Sequence, residues 1–291
     1  MSFIKSTWYF LSKHLFIHLP DTFYIQFMFW VTNLRLGYRP YLLNLSNPKS
    51  FNEKINWLKL HHRFENGAML ADKIAVRDFV KNQIGETYLI PLIEIYGNAN
   101  EINFDNLPDS FALKTNHGSG WNIICKNKSE INRQDSIKKM NKWLGLNPYY
   151  LSHEWQYNFI KPQLICEKLL EFEINDYKFF CFDGEPKFIQ VDVDRFSNHT
   201  RSFYNLAWEK QSIEIVYPIC QKQIERPLKL EEMLSVSRKL SENLKFARID
   251  LYEHDNHVYF GEITLHPEGG FGPFQSKQQD LFMGQYINLP N

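Results

Sequence analysis

The sequence carries no excess of charge in either direction. Its 291 residues hold 33 Lys plus Arg against 33 Asp plus Glu. Bulk nucleic-acid binding needs a net basic footprint, so that class is excluded. Cysteine is scarce: Cys125, Cys166, Cys181 and Cys220 include no Cys-x-x-Cys pair, which removes the common zinc and redox motifs. Cys125, Cys166 and Cys181 lie in apolar, strand-like runs and read as buried free thiols, as suits a reducing cytoplasm. Long apolar runs are missing. The longest near the N terminus, about residues 23–34, is interrupted by Gln26 and falls short of the roughly 20 residues that span a bilayer. Lys5, Lys13 and His14 interrupt the first apolar stretch, and no clean cleavage site follows, so a secretory signal is not expected. Repeats and low-complexity segments are absent, and no Ser/His/Asp or Cys/His arrangement calls for a covalent nucleophile.

Aromatic residues are plentiful, with 24 Phe and 15 Tyr, so disorder is excluded. The length suits one large or two to three small domains. Residues 1–45 concentrate Trp8, Tyr9, Phe10, Phe16, Phe23, Tyr24, Phe27, Phe29 and Trp30. Two helices split at Leu19-Pro20-Asp21 are expected. They read either as a layer packed on the main body, the favoured reading, or as an interfacial element on a membrane; no polybasic block accompanies them. Turn chemistry at Ser46-Asn47-Pro48 precedes a helix over 51–58. The spacing of Leu70, Ile74, Val80 and Ile84 predicts a second helix over 70–84, capped by Gly85, and a strand follows over 89–96.

Residues 111–116 and 121–126 read as strands joined by His117-Gly118-Ser119-Gly120. This turn is neither a Walker A loop nor a Rossmann fingerprint. It is closer to a glycine-rich flap, whose backbone N–H groups approach anionic oxygens, with Lys114 as a point charge beside it. An ordinary hairpin with a salt-bridging lysine is the equally weighted alternative. A helix is expected over 135–144 with Asp135 as its N-cap. A strand over 162–170 turns polar at Glu167-Lys168. A hairpin over 176–191 turns at Asp183-Gly184 and places Lys178 on the face of Phe180 and Phe182. The stretch 192–205, with Asp192, Asp194, Arg195, His199 and Arg201, reads as a polar loop, and a helix is expected over 227–244.

The chain is organised around residues 246–272, which read as a hairpin broken at Asp255-Asn256-His257 and followed by a loop at 267–270. A three-residue loop pairs Asp250 with Glu262 and Arg248 with Thr264, all on one face. Opposed Cβ atoms lie about 4.5–5.5 Å apart, so the two carboxylates repel unless a cation lies between them. Mg²⁺ suits such a pair when phosphates complete its shell. A two-residue loop would put Asp250 and Glu262 on opposite faces, and a plain surface hairpin is the bland alternative.

In order, Ser50-Phe51-Asn52-Glu53-Lys54, Ala71-Asp72-Lys73-Ile74-Ala75-Val76-Arg77, Leu113 to Gly120, Asp176 to Gly184, Arg248-Ile249-Asp250 and Gly261-Glu262-Ile263-Thr264 resemble the ATP-grasp superfamily. More narrowly, they resemble the TupA-like ATP-grasp proteins of bacterial surface-polysaccharide biosynthesis. The resemblance covers about residue 35 onwards. It implies an α/β (α+β) chain: an ATP-grasp fold with two α+β lobes sandwiching ATP, preceded by a helical pre-ATP-grasp region. The corresponding divisions are 1–45, 46–110, 111–170 with the flap, and 171–291 with the hairpin. By the same resemblance, Lys114 and Lys178 contact the nucleotide, and His117, Gly118, Ser119 and Gly120 form the flap. Glu167, Lys168, Leu169 and Leu170 hold adenine through the backbone. Asp250, Glu262 and Thr264 bind Mg²⁺, and Arg248 steadies the transferred phosphoryl group, with Lys114 as its catalytic companion. Thr264 stands where the superfamily has Asn, a weaker ligand that leaves the second metal open or calls on Glu268. The implied activity is a cytoplasmic, ATP- and Mg²⁺-dependent carboxylate–amine ligase acting on a surface-glycan precursor and an amine donor. On the alternative, interfacial reading of residues 1–45, that segment would make peripheral contact at the inner membrane face. The rivals are a phosphotransferase or other glycan-modifying transferase on the same fold, and a non-enzymatic nucleotide-binding module.

Overall fold

The computed structural model describes residues 3–170, 175–194 and 198–290. Two antiparallel sheets carry it. The chain starts with helices α1 (Phe3–His14) and α2 (Asp21–Arg35), split at Pro20 as expected. Helix α3 (Phe51–His61) begins in a capping box: the Ser50 hydroxyl accepts from the Glu53 N–H, and the Glu53 carboxylate accepts from the Ser50 N–H. Such a cap stabilises a helix by about 1 kcal/mol.

The helix expected over 70–84 is two pieces, α4 (Gly67–Ala71) and α5 (Val76–Ile84). The break arises at Asp72, whose carboxylate accepts from the Ile74 N–H at 2.8 Å and so competes with the helical ladder. Gly85 ends α5 at φ 110°, a region favourable to glycine.

The smaller sheet holds β1 (Leu92–Tyr96), β2 (Phe111–Thr115), β3 (Asn122–Cys125) and β4 (Leu164–Lys168), in the order β1-β4-β2-β3. Helix α6 (Arg133–Leu144) covers it with Met140 over Phe111, Leu113 and Leu164. The cap of α6 is Asn132, whose side chain accepts from the Asp135 N–H, so the expected cap at Asp135 is corrected by three positions. A short helix, α7 (Tyr149–Ser152), leads back toward α2.

The larger sheet is formed by β5 (Asp176–Phe182), β6 (Glu185–Val193), β7 (Thr200–Tyr204), β8 (Lys210–Gln211), β9 (Phe246–His254) and β10 (His257–Thr264), in the order β10-β9-β5-β6-β7-β8. The stretch read as a loop over 192–205 ends β6 and forms β7, where Ser202 and Phe203 are buried. Arg195 lies outside the described residues. Helix α8 (Leu230–Ser241) packs on one face of the sheet, over Phe179, Cys181, Ile249 and Leu251. On the other face lie α3 and α9 (Lys277–Gly284), a helix the sequence reading did not anticipate.

That second face changes character along its length. Opposed pairs run Phe182–Phe246, then Phe180–Arg248, then Lys178–Asp250. The first half is an aromatic core with Phe51 and Phe274, and the second half is charged. Alternation along each strand keeps all these side chains on one side.

The β9–β10 turn holds two residues, not three: Asp255 and Asn256, at φ 51° and 56°, join His254 to its partner His257. This is the left-handed geometry of a tight hairpin turn. A β-bulge between Phe260 and Glu262 then shifts the register, so that Asp250 still opposes Glu262 and Arg248 still opposes Thr264. The bulge takes up Gly261, where a Cβ would meet the Tyr252 ring at 2.9 Å and the Asp250 carbonyl at 3.0 Å. All four cysteines are buried and free.

Candidate active site

The charged half of the larger sheet is a chain of paired ions. The Arg248 Nε and Nη2 donate to the two oxygens of Asp250, each at 2.7 Å. Nη2 also reaches Glu262 Oε1 at 3.2 Å and the Thr264 hydroxyl at 3.0 Å. Lys178 Nζ donates to Asp250 at 2.7 Å and to Asp176. Asp250 is 2% exposed and Lys178 5%, so removing either partner would strand a buried charge, at about 3–5 kcal/mol. Lys178 therefore does not snorkel to solvent; its ammonium is held inside by carboxylates.

Glu262 carries a third cation. Lys73 Nζ lies 3.6 Å from Glu262 Oε2 and donates to the Gly118 carbonyl of the glycine turn at 2.8 Å. Burial alone would raise the Glu262 carboxyl, but the charges of Lys73 and Arg248 outweigh it and hold it at about 2. Burial of Asp250 pushes its carboxyl upward, with Arg248 and Lys178 opposing.

These groups border one cavity of about 570 Å³, lined by Lys73, Gly118, Ser119, Lys178, Arg248, Glu262 and Thr264 on one side. Arg201, Glu268 and the end of α2 line it elsewhere. Arg201 joins Asp192 at 2.6 Å and Glu268 at 3.1 Å, and its guanidinium lies 4.9 Å from the Tyr217 ring centre. Burial opposes the ionisation of Asp192, yet the His199 contact and the Arg201 charge hold its carboxyl well below the usual range.

A second ionic cluster lies on the smaller sheet. Glu167 receives Lys114 on one oxygen and Arg77 on the other, both at 2.8 Å, and Arg77 also donates to the Ile90 carbonyl. Lys114 and Glu167 come together here, away from the cavity lining. His117 is 1% exposed, and its ring nitrogens face Asn116 Oδ1 and the Leu146 carbonyl, so it anchors the flap from beneath. Gly118 and Ser119 line the cavity, and Gly120 adopts φ 69°. At Gly118 a Cβ would lie 2.2 Å from the Trp121 ring. Lys168 donates its backbone N–H to the Pro91 carbonyl at 2.9 Å, while Leu169 and Leu170 lie beyond the end of β4.

The segment 72–77 joins both clusters. Lys73 reaches the flap and Glu262, and Arg77 reaches Glu167. In the sequence this segment stands among the motifs of the family resemblance, with no role attached to its two basic residues. Its two basic residues are four apart, a spacing that would place them on one helix face. The helix break after Asp72 is what sends them to different sheets. Arg201 and Asp192 were missed for another reason, since strand pairing buries residues that polarity alone assigns to a loop.

Among the described residues no group of three His, Cys, Asp or Glu side chains is arranged to hold a metal ion. Asp250, Glu262 and Thr264 nevertheless offer an all-oxygen donor set on adjacent strands, and Mg²⁺ is usually held by one or two carboxylates plus substrate phosphates. The donor types suit that ion in company with a nucleotide, while both Asp250 oxygens here receive Arg248 and one also receives Lys178.

Two antiparallel sheets, a glycine flap and paired acids on the last hairpin define a protein of the ATP-grasp fold. More narrowly, the chain belongs to the TupA-like ATP-grasp family, whose model matches residues 53–288. No curated protein matches it. Solved structures similar to it include the D-alanine–D-alanine ligase from Bacillus anthracis, at 17% identity and TM-score 0.43, over 68% of this chain and 57% of that one. Another is the N5-carboxyaminoimidazole synthetase from Staphylococcus aureus complexed with ADP, at 15% and 0.46, over 77% and 53%. A third is the L-amino acid ligase from Bacillus licheniformis, at 12% and 0.46, over 75% and 49%. The chain spans about half the length of these structures.

Proposed function

We propose that this protein is an ATP- and Mg²⁺-dependent carboxylate–amine ligase that works through an acyl phosphate. The observation that carries this reading is the single cavity on which Lys73, Arg248, Glu262, Thr264 and the flap backbone at Gly118 converge. Lys73 and Arg248 supply positive charge to a transferring phosphoryl group, and the flap positions it; positioning and charge neutralisation are most of what phosphoryl transfer requires. Lys178 acts with them in the cavity, and Lys114 and residues 167–170, on the smaller sheet beyond its lining, would extend the site to the rest of the nucleotide. Asp250, Glu262 and Thr264 would hold Mg²⁺, which when bound offsets charge on the phosphates. A carboxylate oxygen of the acceptor takes the γ-phosphoryl group and ADP leaves. The amine nitrogen then attacks the acyl carbon, phosphate departs, and the nitrogen loses a proton to give the amide. The acceptor is a carboxyl group of a surface-glycan precursor, as the family resemblance implies.

Phosphorus NMR of Mg²⁺-ATP turnover tests this, with a uronic acid and pooled amino acids, each omitted in turn. ADP and free phosphate should appear only with both present. Replacing Asp250 by Asn should reduce turnover at least about a hundredfold, given the several kcal/mol that charge stabilisation supplies. ADP with a new phosphoester signal and no free phosphate would establish a kinase instead.

We also propose peripheral membrane contact through the N-terminal helices at the cytoplasmic face. Phe10, Phe23, Trp30 and Leu34 are each more than 40% exposed there. Residues 1–45 hold four Lys and Arg against the single Asp21, a balance that suits an anionic lipid surface. No helix among the described residues is long and apolar enough to cross a membrane.

A further inference from the structure

Two further residues of the cavity lining have no part in the nucleotide reading above. Glu154 and Gln156 line the cavity on the short 3-10 segment Trp155–Phe159 and its cap. Gln156 is 1% exposed, and its Oε1 finds no donor within the protein. Its Nε2 lies 3.3 Å from Glu154 Oε1 and 3.3 Å from His266 Nδ1. Turning the amide over would set its oxygen against the Glu154 carboxylate, so the orientation is fixed and the oxygen remains without a partner. A buried carbonyl oxygen left unmatched costs about 1–3 kcal/mol, and natural sites keep such groups for a ligand or an ordered water.

Glu154 itself is 9% exposed. Among the described residues no Lys or Arg nitrogen forms an ion pair with it. Its nearest basic group is His266, at 3.7 Å. Glu154 and Gln156 thus border the cavity that is also lined by Arg248, Glu262 and Thr264. Both are acceptors: Glu154 Oε1 receives only Gln156 Nε2 and the nearby His266, and Gln156 Oε1 has no donor.

We infer that Glu154 and Gln156 form the subsite for the amine substrate, accepting N–H bonds from its ammonium or amino group. This rests on the ligase reading above and adds to it where the nitrogen nucleophile enters. Glu154 and Gln156 lie within the family match at 53–288, and the helix that braces their segment, α2, lies outside it. His153, next to Glu154, stacks on Tyr24 of α2 with ring centres 3.9 Å apart and pairs with Asp21 at 2.8 Å. The Tyr24 hydroxyl donates to the Tyr150 and Leu151 carbonyls. The N-terminal helices therefore hold the amine-facing segment in place.

Saturation-transfer NMR on the full chain, with Mg²⁺ and a non-hydrolysable ATP analogue, tests the subsite against a pool of amino acids, amino sugars and polyamines. At least one amine should bind, and its N-acetylated counterpart should not, a comparison that needs no variant. Glu154→Gln and Gln156→Leu should each weaken that amine at least tenfold while the ATP analogue still raises their unfolding temperature. Failure of every amine to bind wild type, or equal binding by the N-acetylated compound or by both variants, would overturn the subsite. Failure of the ATP analogue to bind wild type would instead overturn the ligase reading.

Discussion

Lys59 is 1% exposed, with its Nζ donating to the Gly269 carbonyl at 2.7 Å and lying 4.2 Å from the Phe271 ring centre. Burial pushes its ammonium down to about 7, against the charges of Glu154 and Asp21. Between pH 7 and the ordinary lysine value the unfolded chain holds this proton and the folded chain does not. Stability contributed by Lys59 therefore rises with pH across that window. The shift from 10.5 to about 7 sets an upper bound of about 5 kcal/mol, at 1.36 kcal/mol per unit. Urea midpoints of wild type and Lys59→Met, compared at pH 7, 8.5 and 10, should show wild type gaining stability relative to the variant as pH rises; parallel profiles would refute the assignment. At this scale the sequence was informative where chemistry travels with residue type. It placed Arg248, Asp250, Glu262 and Thr264 on one face, and the structure joins them within 3.2 Å of Arg248. It could not indicate that Lys59, in the last turn of α3, is buried, because its contacts are with Gly269 and Phe271, far along the chain.

The last hairpin shows how a right pairing can follow from a wrong turn. A three-residue loop was expected; the chain uses two residues and then one extra at Gly261, and the two differences cancel. Bulges leave little trace in a hydrophobic pattern, whereas tight turns are marked by Asp and Asn at positive φ. The crowding at Gly261 makes a sharp prediction. Gly261→Val must push against the Tyr252 ring and the Asp250 backbone, and should cost about 1–3 kcal/mol, read from the urea midpoint. Deleting Gly261 instead removes the bulge and keeps Asp250 opposite Glu262. A valine variant as stable as wild type would show that the bulge is not needed there. Elsewhere the element-level reading failed where a side chain overrides periodicity. Asp72 ended one helix early, and Asn132 began another before its expected cap.

For the molecule as a whole, the two sheets were legible as alternating strands, while the way the N-terminal helices join them was not. Tyr24, Ile25, Met28 and Phe29 of α2 pack inward with Phe271, and Asn33 donates to the Phe271 carbonyl at 3.2 Å. Both readings of this segment therefore have a face to stand on, one packed and one apolar and exposed. Deleting residues 1–45 would uncover the packed face, so substitution is the cleaner test. Replacing Phe10, Phe23, Trp30 and Leu34 together by Gln should abolish flotation with anionic liposomes and leave the unfolding temperature within a few degrees. Equal flotation of both proteins, or none by wild type, would dismiss the membrane proposal.

Helix α2 also has two addresses. Phe23, Trp30 and Leu34 look outward, while Thr32, Arg35 and Leu36 at its end line the cavity. A helix with its side chains is only about 10–12 Å across. Whatever rests against the outer surface therefore lies about one helix diameter from the reaction chamber, and an acceptor tethered to that surface would need only a short leash to enter.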